Sequence, residues 1–436
     1  MLRFMNRRRF VASVANGSLA LSVIPAAPLL VGQGCATPTR RVGMAINDED
    51  GSMRRTEAPV CATVTLDGTL AGAALKGRLI ATENPPTGQT SRLLLPLQAL
   101  PVPGGGAARL AWRLPPGPAG RRSFTVTEAT QVPESVMVAR LDAGNGQYLI
   151  TDSGNAVLRY NYATVEPGAV LNSVAPGNRK YAVARSDYIH PLWGPHGEEL
   201  TRDWPVEHPH HRGIYWAWPE VGWKGQRGDL HALQVVFARP TGRCVTTGGP
   251  LFAQVDAENV WKWQDREEIV RERAIIRAWR HTTQGRLLDL EFHFTALREP
   301  VLLARRGSDL YGGLNIRFAA VKEQKICKLV APADAKPRPS WADLSGDFPG
   351  AASPAGVSIL QHRANPDYPG DWIEYPELNW LQPTFPAAGT RYALESGRTL
   401  ALRFRLWIHP GATPELSAGS DHWQAANSLS SPLAQT

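Results

Sequence analysis

Six of the eleven histidines in this chain, His190, His196, His208, His210, His211 and His231, fall between positions 190 and 231. The densest stretch is Arg202-Asp203-Trp204-Pro205-Val206-Glu207-His208-Pro209-His210-His211-Arg212-Gly213. An imidazole with an ordinary pKa of ~6.5 exchanges protons near neutrality and, when neutral, ligates metals. Pro205 and Pro209 bias the residue before each away from helix, which predicts an extended ribbon. Residues two apart in such a ribbon share a side, so His208 and His210 face one way and His211 the other. That pair suits a divalent metal, or one ring acting as acid or base while the other positions substrate. The plain alternative is that these rings cap loops, with Arg212 paired to Asp203 or Glu207. For any single histidine the plain reading is the simpler one; the cluster as a whole points to function. No acid follows the His-x-His pair at short spacing, the next being Glu220. A divalent metal at His208 and His210 is therefore admitted, and no cofactor is required.

Three further stretches carry polar groups in patterns. Asp289, Glu291 and His293 alternate with apolar residues along one segment. They form an acid/base row if that face lines a cleft and a solvated face otherwise, which is the commoner outcome. The run Gly307-Ser308-Asp309-Leu310-Tyr311-Gly312-Gly313-Leu314-Asn315-Ile316-Arg317 reads as a glycine-rich loop approached closely by ligand or backbone, or as a plain hairpin. The run from Gln361 and His362 to Trp372 is polar, aromatic and proline-stiffened. With Tyr375, Trp380 and Phe385 it offers rings for stacking on a sugar, or for core packing.

The elements that must position these groups are strands. In 288–295 the even positions are apolar and the odd ones polar. In 401–409 Leu402, Phe404, Leu406 and Ile408 lie opposite Arg403, Arg405, Trp407 and His409. Both are antiparallel strands with one buried face. The β-branched residues of 269–279 favour a long twisted strand over a helix. No long capped helix and no repeat is evident. With 436 residues, 43% of them apolar, and 40 Gly and 36 Pro, the chain is a turn-rich, all-β globular protein. Short strands between breakers at 59–130 predict a small β-sandwich module. A larger antiparallel β-sandwich follows over 136–412, with a tail at 413–436.

The start of the chain reads as an address. Asn6-Arg7-Arg8-Arg9-Phe10-Val11 before a modest apolar stretch predicts a twin-arginine-type signal over 1–34, hence a periplasmic or extracellular protein. Cys35 is a candidate lipid anchor, and 35–58 a tether. Removing 1–34 takes away Arg3, Arg7, Arg8 and Arg9 and no acid, lowering the net charge from +8 to +4. The remaining basic residues alternate with acids, so nucleic acid is excluded as a partner. No apolar run long enough for a membrane span follows the first 35 residues, which excludes a multi-span membrane protein. Cys61, Cys244 and Cys327 have no metal-knuckle spacing, and their disulfide state is open.

The segment from Arg202 through His208-Pro209-His210-His211-Arg212-Gly213, then Gly312–Arg317, then Gly356-Val357-Ser358-Ile359-Leu360-Gln361-His362 with Asn365-Pro366, resembles a bacterial uncharacterised-domain family labelled "PmoA-like" or methane oxygenase PmoA. The resemblance covers about 180–410 and leaves out the N-terminal module. A methane monooxygenase subunit needs several spanning helices, so the label does not transfer. The resemblance implies an exported β-sandwich related in shape to the galactose-mutarotase-like supersandwich, a companion of sugar oxidoreductases and glycan-degrading enzymes. Family members carry a charged pair in the glycine loop where this chain has Leu310-Tyr311; Asp309 still matches.

The resulting expectation is a carbohydrate-active enzyme that cleaves or rearranges a glycosidic substrate. His208 and His210 serve as acid, base or metal-binding groups, His211 joins them as a catalytic group, and Asp309 and His362 complete the proton-transfer set. Arg212, Arg317, Trp372 and Tyr375 bind substrate. Histidine with arginine suits elimination or epimerisation at an acidic C–H better than hydrolysis, which wants two facing carboxylates. The rivals are a non-catalytic sugar-binding or scaffold protein of the envelope and a metal-dependent oxidoreductase.

Overall fold

The computed structural model describes residues 41–48, 57–84, 93–100, 107–118, 120–330 and 338–428. The signal expected at 1–34 and Cys35 lie outside them. About 55% of the chain is strand and 10% helix, which bears out the all-β expectation.

Two eight-stranded antiparallel sheets enclose the main core. The first runs in the order Trp372–Tyr375, Trp380–Pro383, Gly313–Arg317, Ile214–Ala217, Tyr188–Leu192, Asn155–Asn161, Gln147–Asp152, Met137–Asp142. We call it the site sheet. The second, the long sheet, runs Val236–Thr247, Phe252–Trp263, Glu267–Trp279, Arg286–Ala296, Thr399–Pro410, Ala355–Gln361, Trp341–Asp347, Lys322–Leu329. Its strands follow the expected period of two. Leu288, Leu290, Phe292 and Phe294 point inward beside Leu402, Phe404, Leu406 and Ile408. From the site sheet Trp216 meets Phe292 and Phe294 edge-on, with centroids 4.9 and 5.0 Å apart, a favoured aromatic geometry. The segment 269–279 is indeed part of a long strand, Glu267–Trp279.

The same alternation decides what the site sheet shows on its other face. Ile214 and Trp216 belong to the core, so Tyr215 between them points outward with Tyr188. Ile316 is a core residue, which turns Arg317 outward; Trp380 is its cross-strand partner. This outward face, covered by loops, carries the candidate site.

The N-terminal residues form a six-stranded antiparallel sheet with one short helix, Gly68–Leu75, whose amides are capped by Asp67. The strand Leu94–Leu100 pairs through its first residues with Leu79–Asn84 and through its last with Ala107–Leu114. It thus turns a corner between two halves of the sheet. Its apolar face shares a second core with Phe252, Trp279, Leu360 and Trp407 from the outer face of the long sheet. Residues 416–428 of the expected tail form a helix, Leu416–Ser428, that seals this core with Ala418, Trp423 and Ala425. Trp423 is fully buried and donates its indole N–H to Gln361 O at 3.0 Å. Cys61, Cys244 and Cys327 are free thiols.

On that helix His422 is 2% exposed, and neither ring nitrogen has a hydrogen bond. Burial, and then Arg405 and Arg113, push its pKa down to about 3. The native state therefore holds this ring neutral. Above the unfolded value of ~6.5 both states are neutral and the ring is silent. As the pH falls from there towards 3, only the unfolded state takes up the proton, so stability is lost. Between pH 6.5 and 5 the loss is about 2 kcal/mol. His422→Leu should remove it: urea unfolding at pH 7 and 5 should show a smaller pH difference in the variant than in the parent chain. An equal difference would show that the ring is not held neutral.

Candidate functional site

Tyr188–Leu192 and Ile214–Ala217 are neighbours in the site sheet, and the histidine-rich segment is the excursion between them. An isolated bridge between Asp203 and Arg212 ties its two ends. The segment is not the extended ribbon expected from its prolines. The His208 N–H donates to Pro205 O at 3.0 Å, and the His211 N–H to His208 O at 2.9 Å. These are two linked turns; the first starts at Pro205, and the second starts at His208 with Pro209 as its first central residue. Gly213 closes the excursion with φ +67°, and a Cβ there would lie 2.3 Å from Ile189 O. Only glycine fits this return to the sheet.

Because the segment turns, neighbours rather than alternate residues converge. His210, His211 and His231 each offer a ring nitrogen, and these atoms lie within 4.8 Å of one another. The His210 ring centroid is 4.6 Å from both His211 and His231. His208 stacks on His211 at 4.9 Å and stays outside the trio. The expected metal pair His208 and His210 is thus replaced by three rings, of which His210 alone was foreseen as a ligand. His231 arrives from a loop after the strand Gln226–Gly228. Its backbone N–H bonds to Trp218 O, and the buried Arg185 donates to the carbonyls of Leu230 and His231 at 2.5 and 2.8 Å. The Tyr215 hydroxyl is hydrogen-bonded to His231 Nδ1 at 3.1 Å, fixing the ring from the sheet below. Nε2 is then the nitrogen left for a ligand.

All four rings are held neutral. Burial, followed by His208 and the guanidiniums of Arg185, Arg306 and Arg317, pushes His210 down to about 3. Burial and neighbouring imidazoles put His211 and His231 well below the ordinary value, and His208 is lowered by burial and Arg317. Neutral imidazole is the form that binds a metal. The Nδ1 atoms of His208, His210 and His211 are buried without a hydrogen-bond partner. Leaving such groups unsatisfied costs about 1–3 kcal/mol each, so the sequence tolerates a stability loss here.

The rings open into a cavity of about 880 Å³. Its aromatic wall is Tyr311, Tyr375 and Trp380, with centroids 5.3–6.4 Å apart. Tyr181 and Lys180 stand across it, and Glu207, Asp229, Arg306 and Glu377 supply charge. Asp229 is engaged by Arg306 at 2.9 Å, and Glu207 by Arg317 at 2.7 Å. The two carboxylates are therefore tied to guanidiniums.

Of the other expected residues, Tyr375 lines this cavity. Arg317 stands behind it, 1% exposed, with its Nε and Nη1 unpartnered. Arg212 does not line the cavity: it is fully buried, bonded to Asp203 and the Tyr188 hydroxyl, with its guanidinium 3.5 Å from the Trp204 ring centroid. Asp309 is exposed on the glycine loop and does not line the cavity; its carbonyl accepts from Arg305. His362 lines a different cavity, at the outer face of the long sheet. Trp372 donates its indole N–H to Pro339 O and packs on the main core. The sequence reading missed His231, Asp229, Arg306, Tyr215 and Tyr181 as site residues. The one signal for His231 was its place as the last of the clustered histidines.

A family model described as "Family of unknown function (DUF6807)" matches residues 147–423. No methane oxygenase or PmoA-like family matches, which overturns the resemblance drawn from the HPHHRG segment. No curated protein matches the chain. Among solved structures a polysaccharide lyase shares 11% identity at a TM-score of 0.27, over 58% of this chain and 33% of its own. The chain thus spans about a third of that lyase.

Arg212 has a structural role that can be measured. Truncating one member of a buried ion pair strands the other, at about 3–5 kcal/mol. Arg212→Ala should lower the urea-unfolding free energy by that amount. Arg212→Lys should recover less than half, since lysine has neither the planar fork nor the stacking face. An Ala variant as stable as the parent would return Arg212 to the list of substrate-binding groups.

Proposed function

The chain belongs to DUF6807, a family of unknown function, and from the site itself we propose that it is a metal-assisted carbohydrate-active enzyme. The observation that carries this reading is the convergence of His210, His211 and His231 on one point beside an aromatic-walled cavity. Three neutral imidazoles suit a divalent first-row transition metal such as zinc, iron or copper, and a three-ligand set leaves positions open for substrate oxygen. When bound, such an ion acts as a Lewis acid towards a carbonyl or hydroxyl. Tyr215 and Arg185 hold His231, and the paired turns hold His210 and His211, so the ligand set is supported from behind.

The remaining residues fit a sugar. Tyr311 and Tyr375 offer half-buried rings to the C–H faces of a pyranose, and Lys180, Asn178 and Gln234 offer hydrogen bonds to hydroxyls. His208 lines the same cavity outside the metal trio and is the group we assign to proton transfer. With Glu207 and Asp229 both tied to arginines, a pair of free facing carboxylates for hydrolysis is not supported among the cavity's inner residues. Proton abstraction from carbon beside a carbonyl, leading to elimination or epimerisation, is the reaction class this set favours. Export by the N-terminal signal is part of the same proposal.

Metal analysis of the purified chain should find about one divalent transition-metal ion per molecule, lost in His210→Ala and in His231→Ala. On a panel of glycans that includes oxidised (keto) sugars, turnover should fall at least 100-fold in both variants and in chelator-treated protein. His208→Ala should keep the metal and lose turnover. Full activity after the metal is stripped would defeat the metal assignment; saturable glycan binding with no product in any condition would favour the non-catalytic sugar-binding alternative.

A further inference from the structure

A second cavity, of about 310 Å³, lies where the N-terminal sheet, the outer face of the long sheet and the C-terminal helix meet. Pro59, Val60 and Cys61 form one wall, and Ala426 of the helix closes an end. The floor comes from three adjacent strands, from residues that face outward because their immediate neighbours in sequence fill the main core. Arg277 stands on one, Asp289 and Glu291 on the next, Arg403 and Arg405 on the third. Arg109 reaches in from the N-terminal sheet.

The charges do not balance. Four guanidiniums face two carboxylates, an excess of two positive charges in a pocket with apolar walls. Both carboxylates are committed. Asp289 accepts from Arg405 at 2.6 and 3.0 Å and from the Trp279 indole at 2.7 Å. Glu291 accepts from Arg403 and from His293. Although burial alone would raise both acids, these partners hold them below their ordinary values, Glu291 at about 2. They have little left to offer further cations. The donors, by contrast, are not used up. Arg405 Nη1 is buried with no partner, and Arg109 makes no side-chain hydrogen bond among the described residues. His362 accepts the Ala364 N–H at Nδ1, which places its own proton on Nε2 as another donor. Burial raises the Cys61 thiol, which stays neutral and adds no negative charge.

We infer that this cavity is a ligand site distinct from the histidine cavity, and that it takes a small oxyanion: a carboxylate, sulfate or phosphate group. Guanidiniums match the planar, two-oxygen face of such groups, and partial burial strengthens each charge-assisted hydrogen bond. The volume sits at the lower end for ligand pockets and fits an inorganic ion or one acidic monosaccharide, not an oligomer. Since the walls come from both the N-terminal sheet and the C-terminal helix, an anion bound here also fastens those elements to the long sheet.

The test uses the full chain and three probes at constant ionic strength: sodium sulfate, sodium phosphate and sodium glucuronate, with glucose as the neutral control. Calorimetric titration and thermal unfolding should show saturable binding and a raised midpoint for at least one anion and none for glucose. Arg109→Gln, checked for folding by circular dichroism, should weaken binding at least tenfold, and Arg403→Gln should do the same through an independent strand. Sulfate or phosphate binding as tightly as glucuronate would identify a free-ion site; tighter glucuronate binding would identify an acidic sugar. His210→Ala should bind the anion as the parent does, so this site stands or falls apart from the proposed catalysis. Absence of saturable binding for all three anions, or unchanged affinity in both arginine variants, would overturn the inference.

Discussion

The three imidazoles buried against one another are held neutral, because burial and the neighbouring rings and guanidiniums all disfavour the charged form. Burial does most of this on His210, and His208, Arg185, Arg306 and Arg317 add to it electrically. Much of the architecture around the site serves to hold the rings in that unfavourable proximity. The Arg212–Asp203 pair, clamped between Trp204 and Tyr188, pins the ends of the loop. Gly213 returns the chain to the sheet where a side chain would strike Ile189 O. Arg185 grips the His231 loop by its carbonyls. A sequence selected for stability alone would have little reason to maintain such an arrangement, which is why it reads as function.

The strands were legible because one physical signal dominates them. In 288–295 and 401–409 the apolar residues alternate without a break, and a one-residue slip would bury Asp289 or Arg405 in the main core. The loops were legible only in composition. The proline argument constrained the residues before Pro205 and Pro209 but overlooked that proline also favours the first central position of a turn, which Pro209 occupies in 208–211. Turning brought His211 to the same point as His210, where alternation had sent it away. His231 sits 20 positions further on and reaches the cluster through a different sheet edge, a proximity that only tertiary structure supplies. Asp309 and His362 were joined to the site by pattern and are separated from it by the fold. For Arg212 the plain reading, a partner of Asp203, was the right one.

The polar face of 401–409 shows a different limit. Alternation correctly turned Arg403, Arg405, Trp407 and His409 away from the main core, and from that the face would be expected to meet water. Instead Trp407 and His409 are 3% and 1% exposed, under the second core and the C-terminal helix. Nothing in a two-residue period distinguishes a face that meets solvent from one that meets another layer. Trp407 itself was the only residue in the row out of place on a wet surface. The helix that covers it is short and carries few apolar residues beyond Ala418, Trp423 and Ala425, so its burial depends on one tryptophan anchor more than on an apolar stripe.

The two outward faces of the sandwich handle charge in opposite ways, and the main core between them keeps them apart. On the site sheet the rings avoid charge by staying neutral, and the nearby guanidiniums are either matched by Glu207 and Asp229 or fixed to carbonyls. On the long sheet the groups keep their charges and pair across strands, from Asp256 with Arg273 to Asp289 with Arg405, until the pairing runs out beneath the N-terminal sheet. The slab between is built mostly of Trp216, Phe292, Phe294 and their neighbours, crossed at one place by a buried polar network in which Asn259 of the long sheet donates to Asp187 and to the Tyr160 hydroxyl of the site sheet. Packing of this density is rigid and passes displacement only by moving whole strands. The chemistry proposed at the histidine cavity and the anion capture proposed at the arginine cavity thus sit on opposite faces of one core, and coupling between them would have to run through the packing that joins the two sheets.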